Sequence, residues 1–347
     1  MDPAAEAPVV LIDAYSQIFR SYYAVRRLTD GEGNPVNALY VFTRLLLGLE
    51  RERPTRRGAL LFDCGRVAFR LKLLPEYKAN RPPMPEDLRC QLPRIREMAA
   101  AFGWPLLQSE GYEADDLIGA FARAAAPAEV RIVSADKDLS QLLVEERVKL
   151  LSPEKGNTGA LVERGAAAVR EKFGVAPERI PDYLALVGDS SDNIAGIAGI
   201  GPKSAAELLN TFGAIENWID APERLAGSRF AAKLAGQEEL LRRNLGLVRL
   251  RTELPAEFAD PAAVLAKSAP DWGAIAELCR RCAFRSILKE LPAEAATAPA
   301  ASESPVPTAA EEGDLFAACA PAAPAPEPAP AEKPADSAPE MVQGELF

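Results

Sequence analysis

The chain has 347 residues, 48% hydrophobic and 26% charged, which suits one large or two modest folded units with a sizeable core. It contains no histidine, which excludes the Ser-His-Asp triad, the Cys-His pair and histidine-bearing zinc sites, and leaves chemistry to carboxylates, amines, hydroxyls or bound metal. The formal charge of −10 speaks against nucleic acid, but from Pro292 onward ten carboxylates face Lys333 alone, so the rest of the chain is close to neutral at −1.

In chain order, the first apolar run is Val9-Val10-Leu11-Ile12-Asp13, a buried strand that ends on an acid. A helical period over residues 36–50 precedes a second strand, Ala59-Leu60-Leu61-Phe62-Asp63, again closing on an aspartate. Helices are predicted over 85–102 and 114–125, a third strand over Val130-Arg131-Ile132-Val133-Ser134, and a short helix over 138–143. Such alternation reads as an α/β core with a mainly parallel sheet and crossover helices over residues 1–180. From Pro181 the pattern is helical with glycine and proline punctuation, a subdomain over 181–291. Residues 292–347 turn to alanine, proline and glutamate, the composition of a disordered tail.

The five cysteines are scattered, and no apolar stretch nears the ~20 residues needed to cross a bilayer. A reducing cytoplasm is expected, with neither export nor membrane insertion. Cys279-Arg280-Arg281-Cys282 has CxxC spacing but lacks partners, and reads as core or surface rather than zinc or redox chemistry.

In open parallel sheets, ligands gather beyond the carboxyl ends of strands. Here Asp13, Asp63 and the segment Ser134-Ala135-Asp136-Lys137-Asp138 aim acids at one rim. Glu113-Ala114-Asp115-Asp116 opens a helix, where one acid would serve as a cap or dipole partner but three in four residues exceed that need. Asp136 and Asp138 share a face if extended, or Asp138 caps the next helix. Asp189 and Asp192 share a face if helical, or sit in a plain turn. If these nine acids converge, their repulsion demands cations, and an all-oxygen site suits Mg2+ or Mn2+ rather than zinc. Two such ions ~3.5–4 Å apart can clamp the attacking and leaving oxygens of a phosphodiester and supply a nucleophilic water without histidine. With the nine set aside, the surface outside the tail carries +8, a basic face beneath an acidic total.

Between Asp63 and Glu113 a long connection from Phe69 to Pro85 interleaves cations and aromatics. Lys78 and Arg81 can stabilise charge on a scissile phosphate, Arg70 can contact DNA, and Tyr77 or Phe69 can stack on a base. A second feature is Gly196-Ile197-Ala198-Gly199-Ile200-Gly201-Pro202-Lys203-Ser204, which enters a helix at Pro202. Its glycines, Gly199 and Gly201 among them, let amides approach an anion at the helix start beside Ser204, and Lys203 adds charge. This is the pattern of a helix-hairpin-helix that holds a DNA backbone without reading bases.

The ordered set of motifs resembles the 5′ nuclease domain of bacterial DNA polymerase I and the flap endonuclease superfamily. The resemblance rests on Pro75-Glu76-Tyr77-Lys78-Ala79-Asn80-Arg81-Pro82-Pro83-Met84-Pro85, Glu113-Ala114-Asp115-Asp116, Ser134-Ala135-Asp136-Lys137-Asp138 and Gly188-Asp189-Ser190-Ser191-Asp192-Asn193, and runs from about Val9 to Leu291. It implies a PIN-like 5′-nuclease fold with all nine family acids present. It also implies a helical arch over about 69–100 that passes a single-stranded 5′ arm by Lys78 and Arg81, a role for Arg20 near the scissile phosphate, and a K+-assisted hairpin from Gly199 to Lys203. The expected activity is that of a 5′-3′ exonuclease and flap endonuclease working on DNA 5′ ends, 5′ flaps and RNA-DNA primer junctions as a monomer near the nucleoid. Because only 56 residues follow Leu291, a stand-alone nuclease is expected.

The terminal Gln343-Gly344-Glu345-Leu346-Phe347 resembles the pentapeptide with which bacterial replication enzymes bind the sliding clamp, so Gln343, Leu346 and Phe347 are expected to anchor there. Two rival readings are a PIN-like ribonuclease, which would lack the basic strip and the glycine hairpin, and a non-catalytic DNA-binding clamp adaptor, which would lack acids.

Overall fold

Residues 7–65, 67–153 and 161–293 are described by a computed structural model of the chain. The run Val9–Asp13 forms β1, wholly buried at the centre of a six-stranded sheet. Gly58–Leu61 (β2), Leu106–Leu107 (β3), Val130–Val133 (β4), Val148–Pro153 (β5) and Leu161–Arg164 (β6) complete it, in the order β3-β2-β1-β4-β5-β6. The first five strands are parallel and β6 is antiparallel to β5. Both expected neighbours of β1 are in place, with Ile12 opposite Leu60 on one side and Val133 on the other.

Strand alternation divides the interior in two. Val9, Leu11, Ala59, Leu61, Val130 and Ile132 face one core, shared with Leu117, Ile118 and Phe121 of the Ala114–Ala124 helix. Val10, Ile12, Leu60 and Val133 face the other, shared with Ile18 of the Ala14–Ala24 helix and with Leu39, Phe42 and Leu46 of the Asn37–Glu52 helix. These last three repeat at three- and four-residue spacing along one helix face, and each buried side chain is worth roughly 1.5–3 kcal/mol.

The first core continues without a break into the helices that follow residue 180. Leu184 and Leu186 of Ile180–Val187, Leu208 of Pro202–Phe212 and Leu245 of Glu238–Val248 belong to it. The closing helices Trp272–Arg281 and Arg285–Leu288 instead send Ile275, Leu278, Cys279 and Ile287 back into the second core. Cys279 and Cys282 are buried free thiols there, and burial pushes Cys279 up to about 12.

Two predicted helices differ in detail, and three strands add to the prediction. The helix expected over 85–102 is two, Glu86–Arg89 and Leu92–Ala101, because Pro93 has no N–H to continue the first and is suited to the first turn of the second. The short helix after β4 is a 3-10 turn, Asp138–Leu142. Strands β3, β5 and β6 were not foreseen: β3 is only two residues long, and β6 has no fully buried residue to mark it.

Candidate active site

Strand ends and loops meet at one rim of the sheet. Asp13 closes β1 and caps the following helix: its Oδ1 accepts from the Ser16 amide at 3.1 Å and its Oδ2 from Ser134 Oγ at 2.8 Å. Asp63, just past β2, accepts from the Ala114 amide at 2.8 Å and so ties that strand to the helix bearing Asp115 and Asp116. Beyond β4, Asp136 Oδ1 accepts from the Asp138 amide at 2.9 Å. Burial, then the Asp63 carboxylate, lift Asp13 to about 7, and burial with Asp136 and Asp13 lifts Asp115 well above the carboxylate range. Asp13 is therefore within electrostatic reach of Asp63 and Asp136, and Asp115 of Asp136, Asp13 and Asp63.

A second group lies beside it, with one carboxylate oxygen each from Asp138, Asp189 and Asp192 within 4.8 Å of one another. Asp189 closes the short strand Gly188–Asp189 and Asp192 sits in the turn that leads to its partner strand Ile194–Ala195; neither is in a helix. Two glycines permit that close crossing: a Cβ on Gly196 would meet Val187 O at 2.2 Å, and Gly188 adopts φ +82°. Burial, Asp136, Asp189 and Asp192 all raise Asp138, whose Oδ1 is buried with no hydrogen-bond partner. An orphaned oxygen among clustered carboxylates fits a hard divalent cation. Burial also pushes on Asp189, but the Lys137 ammonium at 2.8 Å and bonds from Ser191 bring it below the usual range.

Over these acids runs a strap, residues 76–81. Lys78 Nζ donates to Glu113 Oε2 at 2.8 Å, and the Arg81 guanidinium donates to Asp192 Oδ1 at 2.6 Å. Burial pulls Lys78 down, but Glu113, with Tyr77, Asp192 and Asp63, together raise it well above its ordinary value, so it is kept charged. Tyr77 is not a stacking platform: its hydroxyl is turned inward, donating to Asp192 Oδ2 at 2.9 Å and Glu113 Oε2 at 3.3 Å, and the residue is 5% exposed. The Phe69 ring is likewise engaged, with Arg251 stacked 4.2 Å from its centroid.

Arg70, expected to contact DNA, is buried. At 1% exposure it forks onto both oxygens of Asp116, at 2.7 and 2.8 Å, and donates through Nε to Leu247 O. Asp116, fully buried, also accepts from the Arg251 amide at 3.0 Å, so its oxygens are committed inside the protein rather than to the rim. Alternating charge and aromaticity marked this strip as functional, yet its helix Ala68–Leu73 turns Arg70 inward. Around Lys78 and Arg81 the chain runs in turns rather than in one continuous arch helix, with the next helix starting at Glu86.

Arg20 is half-buried on the first helix and, among the described residues, has no carboxylate partner. In the glycine hairpin Gly199 has φ +78°, Lys233 Nζ donates to its carbonyl at 2.7 Å, Gly201 precedes the Pro202–Phe212 helix, and Lys203 is exposed beside half-buried Ser204. No hydrogen bond or ion pair joins Gly199, Gly201, Lys203 or Ser204 to the acids among the described residues. Gln343, Leu346 and Phe347 lie outside the described residues. Lys137 and Ser134, which hold Asp189 and Asp13, were missed as site residues although both stand inside the quoted acidic motif.

Residues 8–174 match the 5′-3′ exonuclease N-terminal resolvase-like domain, and residues 175–271 match the 5′-3′ exonuclease C-terminal SAM fold. A 5′-3′ exonuclease of Aquifex aeolicus is 36% identical over 283 residues, covering 81% of this chain and 94% of its own. The thermostable DNA polymerase I of Thermus thermophilus is 37% identical over 86% of this chain, which spans only 35% of that polymerase. Among solved structures, T5 5′-exonuclease with bound divalent metal ions (zinc) superposes with a TM-score of 0.56 at 27% identity, over 79% of this chain and 99% of the other. The catalytic core of Rad2 in complex with DNA substrate shares the fold, at 15% identity and a TM-score of 0.56 over 84% of this chain and 93% of the other.

Proposed function

Because the chain belongs to the 5′-3′ exonuclease family, we propose that it is a metal-dependent 5′-3′ exonuclease and structure-selective flap endonuclease that hydrolyses phosphodiesters of DNA and of RNA primers in replication and repair. The observation that carries this reading is the convergence of carboxylates from β1, β2, β4 and the 188–193 turn beneath a cationic strap. Asp13, Asp63, Asp115 and Asp136 would hold one Mg2+ or Mn2+, and Asp138, Asp189 and Asp192 a second. The chemistry such cations supply is a bound water of lowered pKa and neutralised charge on the phosphate.

The chain's own residues do the rest. Lys78 and Arg81 are the cations placed to bind a scissile phosphate; each is now seated on an acid, so substrate must draw them from Glu113 and Asp192. Arg20 offers a further guanidinium, without a carboxylate partner among the described residues. Glu113 orients Lys78, and Asp116 acts from inside the core by fixing Arg70 and, through the Glu113 amide at 3.3 Å, the start of the acidic helix. The hairpin at Gly199, Gly201, Lys203 and Ser204 would grip the duplex backbone, its amides facing phosphate and its carbonyls holding K+.

We take residues 1–180 as the nuclease core, 181–291 as the duplex-binding subdomain, and Gln343, Leu346 and Phe347 as a clamp tether. We place it as a monomer in the cytoplasm, near the nucleoid; no helix among the described residues is long and apolar enough to cross a membrane. A 5′-labelled flap duplex, a matching single strand and a blunt duplex, each incubated with Mg2+ and with EDTA, test the assignment. Mg2+-dependent cutting near the flap junction is expected. Intact DNA in Mg2+ and Mn2+ with binding retained would favour the adaptor reading instead.

A further inference from the structure

The strap carrying Lys78 and Arg81 belongs to the N-terminal matched segment, and the turn carrying Asp189 and Asp192 to the C-terminal one. Ion pairs alone would let the two slide, since ammonium and guanidinium groups tolerate many geometries. The backbone supplies the register: the Lys78 amide donates to Asp192 O at 3.1 Å. Two asparagine amides flank that bond and run in opposite directions. Asn193 Nδ2 donates from the turn to Glu76 O at 2.8 Å, and Asn80 Nδ2 donates from the strap to Ser190 O at 2.6 Å. Asn193 sits in the left-handed region, φ 60°, which asparagine tolerates better than most residues. Lys78, opposite it, is left-handed as well, at φ 57°, although lysine gains nothing from that conformation. A strained lysine backbone persists only where its surroundings over-determine it, and the asparagine clasp is the surrounding that does so.

We propose that Asn193 and Asn80 are positioning residues for cleavage, clasping the strap to the acid turn so that Lys78 and Arg81 meet the phosphate at one fixed place. The proposal deepens the nuclease reading and rests on it. Asn193 contributes two separable things, its left-handed backbone and its amide. Asn193→Gly keeps the first and removes the second, while Asn80→Ala opens the clasp from the other side.

The test is single-turnover cleavage of a 5′-flap duplex in Mg2+, with affinity for the same duplex read by anisotropy in EDTA and folding read by thermal melting. Displacement of a catalytic group by about 1 Å can cost ~100-fold in rate, so roughly 10- to 100-fold slower cleavage is expected for Asn193→Gly, with affinity within about twofold and melting unchanged. Because the clasp acts through Lys78 and Arg81, Asn193→Gly added to the Lys78→Ala, Arg81→Ala double variant should slow cleavage no further than that double variant alone. Near-normal cleavage by both Asn193→Gly and Asn80→Ala, or losses that multiply with that of the Lys78→Ala, Arg81→Ala double variant, would overturn the clasp while leaving the nuclease assignment standing. A wild-type rate for that double variant would overturn the strap's role in cleavage and the clasp with it.

Discussion

Replacing Arg70 by methionine is expected to cost about 3–5 kcal/mol of folding stability, the range for removing one partner of a buried ion pair. Arg70 and Asp116 are 1% and 0% exposed, and the guanidinium supplies the two shortest bonds the carboxylate receives, 2.7 and 2.8 Å. Without them Asp116 keeps only the Arg251 amide at 3.0 Å and the Glu113 amide at 3.3 Å. Two backbone donors do not offset a desolvated charge, and the Leu247 carbonyl loses its Arg70 donor as well. Against a total stability of roughly 5–15 kcal/mol, the loss is large. Urea unfolding by linear extrapolation measures it. The double variant Arg70→Met with Asp116→Leu should recover most of it, because an apolar pair of similar volume carries no stranded charge. If Arg70→Met unfolds at the wild-type midpoint but binds DNA more weakly, the buried-pair assignment fails and Arg70 returns to the DNA surface.

Asp13 titrates near 7 in the folded chain against an ordinary value of 3.8, so the folded form holds an extra proton between those values and loses stability as pH rises through them; melting in EDTA should fall across that window. Mg2+ must displace the same proton, so its calorimetric affinity should weaken as pH drops below about 7, and a pH-independent affinity between pH 6 and 8 would contradict the site. Asp138→Asn removes one of three acids whose oxygens lie within 4.8 Å, and should raise the melting temperature in EDTA while slowing cleavage at least roughly tenfold; a lower melting temperature would show that repulsion is not what the cluster costs. Lys203→Ala should weaken duplex binding several-fold, lower the salt slope by about 1 and leave single-turnover cleavage at saturation near normal; a steep loss in the saturated rate would place Lys203 in the chemistry.

What was legible in the sequence was what periodicity and strand ends dictate. Val9–Asp13 announces itself as a buried strand because every residue faces a core on one side or the other, and the aspartates at or just beyond strand ends mark the rim. β6 could not be read that way, since its four residues are at most half-buried and its partner β5 supplies the pattern. Side-chain direction was the other gap. Arg70 and Lys78 stand eight positions apart in one cationic strip, yet one enters the core and the other caps the rim. That divergence depends on the Asp116 carboxylate waiting below and on a left-handed bend at Lys78, neither of which spacing reveals. The choice between helix and turn for Asp189 and Asp192 was equally open, until the crossing of Gly188 and Gly196 decided it.

The division among the acids explains how so many carboxylates are tolerated in one place. Asp116 is neutralised from within by Arg70, and Glu113, Asp192 and Asp189 from above and beside by Lys78, Arg81 and Lys137. Among the described residues, Asp13, Asp63, Asp115, Asp136 and Asp138 have no such cation, and three of these five, Asp13, Asp115 and Asp138, are raised by burial and by one another. The pairing is therefore selective. A fold selected only for stability would have distributed its lysines and arginines evenly over the rim, or replaced the acids with apolar side chains. Here the cations stand on the acids nearest the strap, and the repulsion is left concentrated where strand ends hold it in place. Concentrated, rigidly held negative charge is what a hard cation relieves, and the strap cations, once substrate draws them from Glu113 and Asp192, would meet the phosphate diester. Electrostatic cost and catalytic capacity are thus the same feature of this rim.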